Sequence, residues 1–368
     1  MPKRLCPHCS HAFEITDAMV GEHVPCPNCG LDILMPRKPR SPMEKIKLTV
    51  TPPAPDIYPA AKLADIARQI ISNIERVIVG KPEQVRLAIV GLFAEGHILF
   101  EDVPGVAKTM LSRAIAQSVG CTFKRIQCTP DLQPEHVVGD FTTDPTTGKK
   151  DFRFGPLFSQ MVLVDEINRA SPRTQSALLE AMGEGLVTMD RVSYRLEKPF
   201  MVMATQNPIE QEGTFRLPEA QMDRFLLRLS LGYPSAAEEM EMCRRVQLQH
   251  PIETLTPVSD ADQILKCQQG VREIAVGPEV TNYLVALTRA TREHAALRLG
   301  ASPRGSLGLF RAAQSLAAVD GQSSVTCAHV RALVEPVLAH RLLLRRDTLK
   351  DYPDAAAVVR EIADRVSS

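Results

Sequence analysis

Two stretches of this chain carry the residue types needed to work on a phosphate anhydride: Asp102-Val103-Pro104-Gly105-Val106-Ala107-Lys108-Thr109 and Met161-Val162-Leu163-Val164-Asp165-Glu166. In the first, Gly105 lets backbone N–H groups approach phosphate oxygens. Lys108 supplies a cation for the outer phosphates, and Thr109 a hydroxyl for Mg²⁺. An apolar helix expected over Met110–Val119 aims its positive N-terminal end at the same place. In the second, four apolar residues read as a buried strand that ends in two carboxylates. Asp165 is placed to hold Mg²⁺ through water, and Glu166 to polarise an attacking water. Asn207, after the next expected strand, is a candidate to position that water. An isolated apolar-Asp-Glu run also describes a strand ending in surface acids; Lys108-Thr109 upstream favours the chemical reading. Two positions depart from G-x-x-x-x-G-K-[ST]. Asp102 replaces the first glycine, where its carboxylate repels phosphates unless turned away, and Ala107 replaces the second, adding a methyl group.

Two arginines stand in informative contexts. Arg224 precedes an apolar strand within Leu217–Phe225. Arg304 falls in a helix's first turn, with Ser302 as N-cap and Pro303 at the first helical position. A cation there is badly placed for the helix dipole, which points to an anionic partner. Taken singly, each arginine also reads as a surface or salt-bridge residue.

Near the N-terminus, Cys6-Pro7-His8-Cys9 and Cys26-Pro27-Asn28-Cys29 form two C-x-x-C knuckles. Four thiolates so spaced can close a tetrahedral shell around one structural Zn²⁺. So short a module cannot build a sufficient core alone, and metal would supply much of its folding energy. Paired redox cysteines are the other reading. Cys121, Cys128, Cys243, Cys267 and Cys327 sit in apolar or helical contexts and are expected to be buried thiols. His97 is expected in the core or at a strand edge, and His136 on a surface loop.

These residues need an α/β frame. Strands are predicted at His97–Phe100, Thr122–Cys128, Met161–Asp165, Phe200–Thr205 and near Phe225–Leu229, with helices between several of them, which implies a largely parallel sheet. Turns at 144–149 and at Asp190-Arg191 predict two hairpins. Beyond residue 233 the pattern becomes helical, near 236–248, 259–269, 278–293, 304–318 and 327–342, with a capping box of Ser235 and Glu238. The expected domains are 1–35, a zinc ribbon; 36–59, a linker with seven prolines; 60–232, the α/β core; and 233–368, a helical lid.

Charge is balanced, 43 basic against 43 acidic residues, and there is no tryptophan. Nucleic acid is therefore disfavoured as a partner. No apolar run is long enough to span a membrane and no leader opens the chain, so a cytoplasmic protein is expected.

In this order the motifs resemble AAA+ ATPases, and specifically the MoxR branch. The matching text is Glu101–Thr109, Val164–Ala170, Ala177–Met182, Ala204–Pro208 with residues 210–213, and Leu217–Phe225. The resemblance implies that ATP is held by Pro104, Gly105, Val106, Ala107, Lys108, Thr109 and Met110, with Val79 and Gly80 near the adenine. Thr109 and Asp165 would serve Mg²⁺. Glu166 would be the catalytic carboxylate, Asn207 sensor 1, and Arg304 sensor 2 acting from the lid in cis. Arg224 would be an arginine finger reaching a neighbour's nucleotide, which requires an oligomer; the family suggests a homo-hexamer. ATP would lie between core and lid. The implied role is chaperone-like remodelling, maturation or activation of a client, often one carrying a von Willebrand factor A domain. Rival readings are a metal-chelatase motor subunit, a nucleic-acid remodeller gripping through the zinc ribbon, and an ATP-gated scaffold that scarcely hydrolyses.

Overall fold

A computed structural model describes residues 3–5, 12–14, 23–30, 32–34, 57–143, 150–189, 192–207, 214–215, 217–348 and 350–366. The chain divides into two compact units, Met1–Pro55 and Asp56–Ser368. In the first, β1 (Lys3–Leu5) pairs antiparallel with β2 (Ala12–Glu14), and β3 (His23–Pro25) with β4 (Asp32–Leu34). A turn over Cys26–Gly30 joins β3 to β4. The Gly30 N–H donates to the Cys26 carbonyl at 2.9 Å, and the Asn28 N–H donates to Cys26 Sγ at 3.4 Å. Gly30 turns the chain with φ +72°, a conformation open to glycine. Cys6, Cys9, residues 36–56 of the linker expected over 36–59, and both predicted hairpin tips lie outside the described residues. Among the described residues no three His, Cys, Asp or Glu side chains gather to hold a metal, and no helix is long and apolar enough to cross a membrane.

The second unit begins with α1 (Ala60–Glu75) and α2 (Pro82–Phe93), followed by β5 (Ile98–Glu101), α3 (Lys108–Ser118), β6 (Phe123–Gln127) and α4 (Pro134–Val138). A hairpin of β7 (Gly139–Thr143) and β8 (Lys150–Phe154) precedes β9 (Met161–Asp165) and α5 (Pro172–Glu184). A second hairpin, β10 (Leu186–Met189) and β11 (Val192–Arg195), leads to β12 (Met201–Gln206), α6 (Glu219–Met222) and β13 (Leu227–Leu229). The remainder is α7 (Ala236–Val246), α8 (Ala261–Arg272), α9 (Pro278–Glu293), β14 (Leu297–Leu299), α10 (Pro303–Val319), α11 (Cys327–Leu338), β15 (Leu343–Leu344) and α12 (Ala355–Arg365).

Five strands form one parallel sheet in the order β13-β5-β12-β9-β6. Alternation divides their side chains between two faces. Ile98, Phe100, Met161, Leu163, Met201 and Met203 enter one core, with α1, α2 and α3. Leu99, Val162, Val164, Val202 and Ala204 enter another, with α4 and α5. Burial on both faces is why these strands read as unbroken apolar runs.

The helical region packs closely against the α/β core. Helices α8 and α10 pack on α1 and α2, and their apolar residues belong to the same core as the first sheet face. Hydrophobic burial runs across the expected boundary at 232/233, so the helical region and the first sheet face share one core. Cys121, Cys128 and Cys267 are buried, and burial pushes each thiol up to about 12. Cys243 departs from expectation. It lies exposed on α7, a helix with no buried residue, and Cys327 is half-buried.

Two histidines are locked in the interior. His97 Nδ1 accepts from the Val202 N–H at 3.0 Å, while Nε2 donates to the Met182 carbonyl at 2.9 Å, so the ring is neutral and ties β5 to β12 and α5. Burial pulls its pKa down to about 4. His340, donating from Nε2 to the Phe225 carbonyl at 3.0 Å, is depressed for the same reason. An unfolded histidine titrates near 6.5, so between about pH 6.5 and 4 the unfolded chain binds more protons, and stability falls as pH falls through that window. For His97 the loss is up to about 3 kcal/mol. Urea midpoints between pH 7 and 5 should fall in the wild type, with a shallower slope in His97→Gln; an unchanged slope would place the acid sensitivity elsewhere.

Candidate functional site

The carboxyl ends of β5, β9 and β12 open onto one polar pocket, where parallel sheets characteristically bind ligands. Its lining includes Pro104–Met110, Arg125, Asp165, Glu166, Thr205 and Asn207. On the other side of the same loop lies an apolar slot bordered by Val77, Ile78, Val79, Met110, Leu231, Met242 and Val246. The two share Gly105, Val106, Ala107 and Met110. A polyphosphate can occupy the first while a flat heteroaromatic base fills the second. Gly80 does not border the slot. It turns with φ +72° and abuts the Glu238 carboxylate so closely that any Cβ would collide.

The loop holds its shape through two left-handed residues, Gly105 at φ +85° and Ala107 at φ +64°. Glycine tolerates this conformation, whereas for alanine it stores on the order of 1 kcal/mol. Ala107 is also the N-cap of α3, so the loop delivers Lys108 and Thr109 directly onto the helix's first turn. Lys108 Nζ donates to the Asp102 carbonyl at 2.9 Å. Burial draws the lysine below its usual pKa, against the attraction of Asp102, Asp165 and Glu166.

Asp102 is turned away from the phosphate loop, which removes the expected repulsion. Its Oδ2 accepts from the N–H groups of Leu231 at 2.5 Å and Gly232 at 2.8 Å, and from Ser230 Oγ at 3.2 Å. Oδ1 accepts from the Val103 N–H at 3.0 Å. A carboxylate so satisfied serves as an anchor between the loop and the chain leaving β13.

Asp165 ends β9, and Glu166 adopts a left-handed φ of +55°, which breaks the strand and separates the two carboxylates. Thr205, 2 % exposed, supports both: its Oγ1 donates to Asp165 Oδ1 at 2.6 Å and accepts from the Glu166 N–H at 2.8 Å. Asp165 Oδ2 also receives the Arg125 guanidinium at 2.7 Å. Glu166 Oε2 receives Gln127 Nε2 at 3.1 Å and Arg169 Nη1 at 3.0 Å. Asn207 is buried at the end of β12 and lines the same pocket. Thr205, Arg125 and Gln127 were not singled out from the sequence. Thr205 faces Asp165 because β12 and β9 run parallel with Ala204 opposite Val164, a register that only the folded sheet reveals.

The structure thus brings together Lys108, Thr109, Asp165, Glu166 and Asn207. Arg224 and Arg304 do not join them. Both line a separate cleft with Gly96, His97, Asp223, Arg311 and Arg341, at the amino ends of β5 and β13. The run from His97 to Asp102 places this cleft about 16 Å along the strand from the phosphate loop. Arg304 therefore does not reach its own subunit's loop, which corrects the expected action in cis. The reason is the direction of α10, which packs on α1 and α2 and starts beside Asp223.

Two local predictions follow from the loop. Asp102→Ala strands three backbone N–H groups and should cost about 3 kcal/mol or more in urea unfolding, with Asp102→Asn retaining part of it. Ala107→Gly removes left-handed strain and should gain about 1 kcal/mol. A neutral Asp102→Ala would show the anchor to be dispensable.

Residues 97–227 match the model of the ATPase family associated with various cellular activities (AAA), and residues 289–362 match an AAA lid domain. Among similar proteins, the uncharacterized protein YeaC of Bacillus subtilis is 46% identical over 80% of this chain and 92% of its own. The chaperone MoxR1 of Mycobacterium tuberculosis is 40% identical over 84% of this chain and 83% of its own. A crystal structure from Cytophaga hutchinsonii, provisionally described as an ATPase, superposes with a TM-score of 0.78 at 31% identity, covering 84% of this chain and 96% of that one. A phosphate loop opening a helix, paired carboxylates ending a central parallel strand, and relatives sharing most of their length lead to one conclusion: the chain belongs to the MoxR family of AAA+ ATPases.

Proposed function

We propose that this ATPase uses hydrolysis to remodel or activate a client protein. The observation that carries this reading is the single pocket gathering Lys108, Thr109, Asp165, Glu166 and Asn207, joined through the loop to an apolar slot suited to adenine. Backbone N–H groups of residues 105–108 and Lys108 Nζ cradle the β- and γ-phosphates. Thr109 Oγ1 and Asp165 would hold Mg²⁺, which would supply charge neutralisation for the phosphates. This fits the donor set, a half-buried threonine hydroxyl and a carboxylate beside a lysine. Glu166 accepts the proton of the attacking water as the new O–P bond forms and ADP departs. Asn207 orients that water, and Thr205 keeps the two carboxylates apart.

Arg224 and Arg304, facing away from their own loop, act on a neighbour's nucleotide, which makes a ring, taken to be hexameric, part of the active form. Cys6, Cys9, Cys26 and Cys29 form a structural zinc ribbon. The backbone N–H bonded to Cys26 Sγ supports this, since such a donor stabilises a thiolate ligand. The motor acts in the cytoplasm, on a client for which a von Willebrand factor A domain is the first choice.

Glu166→Gln should keep ATP affinity and lower kcat by about 10²-fold or more, whereas Lys108→Ala should lose binding. A protein captured only by ATP-loaded Glu166→Gln, against the Lys108→Ala control, identifies the client. Full turnover in Glu166→Gln would sink the assignment. Elemental analysis should find about one zinc per chain, lost on Cys26→Ser or Cys29→Ser; zinc-free wild type would refute the ribbon.

A further inference from the structure

We propose that Asp223 is a positioning residue that binds Arg224 and Arg304 into one rigid two-arginine unit, so that both guanidiniums meet an anion together. The inference rests on the reading that these arginines serve a neighbouring subunit's nucleotide.

Asp223 precedes Arg224 in the chain, and its two carboxylate oxygens go to different elements. Oδ2 accepts from Ser302 Oγ at 2.7 Å. That hydroxyl in turn accepts from the Arg304 N–H at 3.1 Å, capping α10 at the turn that carries Arg304. Oδ1 pairs with Arg341 Nη1; the arginine side chain is 3% exposed. Arg341 also grips the backbone on both sides of Arg224, donating to the Asp223 carbonyl at 2.8 Å and the Phe225 carbonyl at 2.6 Å. Its Nε is held by the Val337 carbonyl at 2.7 Å. One carboxylate therefore fixes the peptide bearing the first arginine and the helix cap bearing the second.

The charge balance of the cleft gives this geometry a purpose. Arg224, Arg304, Arg311 and Arg341 line it, against Asp223 and Glu95 among the described residues. Glu95 is already paired with Lys198 and Arg272. Asp223 is paired with the buried Arg341, which leaves the cleft with surplus positive charge. Arg224 donates to the Leu179 carbonyl across Gly183, where a Cβ would collide with the guanidinium. Two arginines that line one cleft and whose backbones share one buried scaffold are pre-arranged for a multiply charged anion, here a triphosphate presented by another copy of the chain.

If the two arginines form one unit, losses within it do not multiply. ATPase rates of full-length Arg224→Ala, Arg304→Ala and Asp223→Asn, singly and in pairs, test this. Asp223→Asn should lower kcat by about 10- to 100-fold with KM for ATP nearly unchanged, and Asp223→Asn/Arg224→Ala should be no slower than Arg224→Ala. Because Asp223→Asn leaves Arg341 buried without its counter-charge, Ser302 provides a milder probe. Ser302→Ala should lower kcat about 10-fold, Ser302→Thr should restore it, and Ser302→Ala/Arg304→Ala should match Arg304→Ala. Multiplicative losses, or a Ser302→Ala that loses thermal stability but keeps kcat, would overturn the inference. If Arg224→Ala and Arg304→Ala themselves retain full kcat, the reading beneath it falls. If they lose kcat while Asp223→Asn and Ser302→Ala do not, only the two-arginine unit falls.

Discussion

The buried carboxylate of Asp102 fixes the relation between the two halves of the nucleotide pocket. Three backbone N–H groups and one hydroxyl converge on it, from Val103 on the loop side and from Ser230, Leu231 and Gly232 on the far side. Leu231 and Gly232 border the apolar slot, while Lys108 leans on the carbonyl of the same aspartate. A glycine at position 102 would leave these donors without the acceptor they share, and the loop and the β13 exit could drift apart. The residue that looked like a defect in the motif is what joins its phosphate side to its base side.

A second constraint acts within the sheet. Side chains at 98–100, 161–164 and 201–204 are buried on both faces, so the strands have little freedom to slide. That rigidity is why the left-handed Glu166 can be sustained. The strain at one residue is small beside the cost of shifting a central strand, and Thr205 takes up the amide and carboxylate that the break exposes.

Much of this was legible in the chain, for reasons that are local. Apolar runs ended by Asp165-Glu166 or begun beside Gly96 announce buried strands, and Lys108-Thr109 at a helix start announces anion chemistry. What stayed hidden depends on contacts between distant segments. The direction of the Asp102 carboxylate is decided by amides about 130 positions further on. Arg304 is carried to the far end of the strands by the packing of α10 on α1 and α2, and no feature of residues 302–304 records that packing. Cys243 looked buried because its neighbours are apolar, yet Met240 and Val246 on the same helix are themselves exposed, 68% and 46%. The partnership of Asp223, Ser302 and Arg341 spans 79 and 118 positions and has no local signature.

The separation of the phosphate loop from the arginine cleft also bears on assembly. The patches sit at opposite strand ends, so copies joined through them meet head to tail, and each junction uses a different surface on each partner. Such contacts have no twofold axis, and a chain of copies built this way either closes into a ring or continues as a helix. In an open row, the copy at one end would keep a loop with no arginines facing it and the copy at the other would keep arginines with no loop. If the arginines serve a neighbour's nucleotide as proposed, closure would join those two remaining halves without any new kind of contact, and the number of working sites would rise by one when the ring shuts.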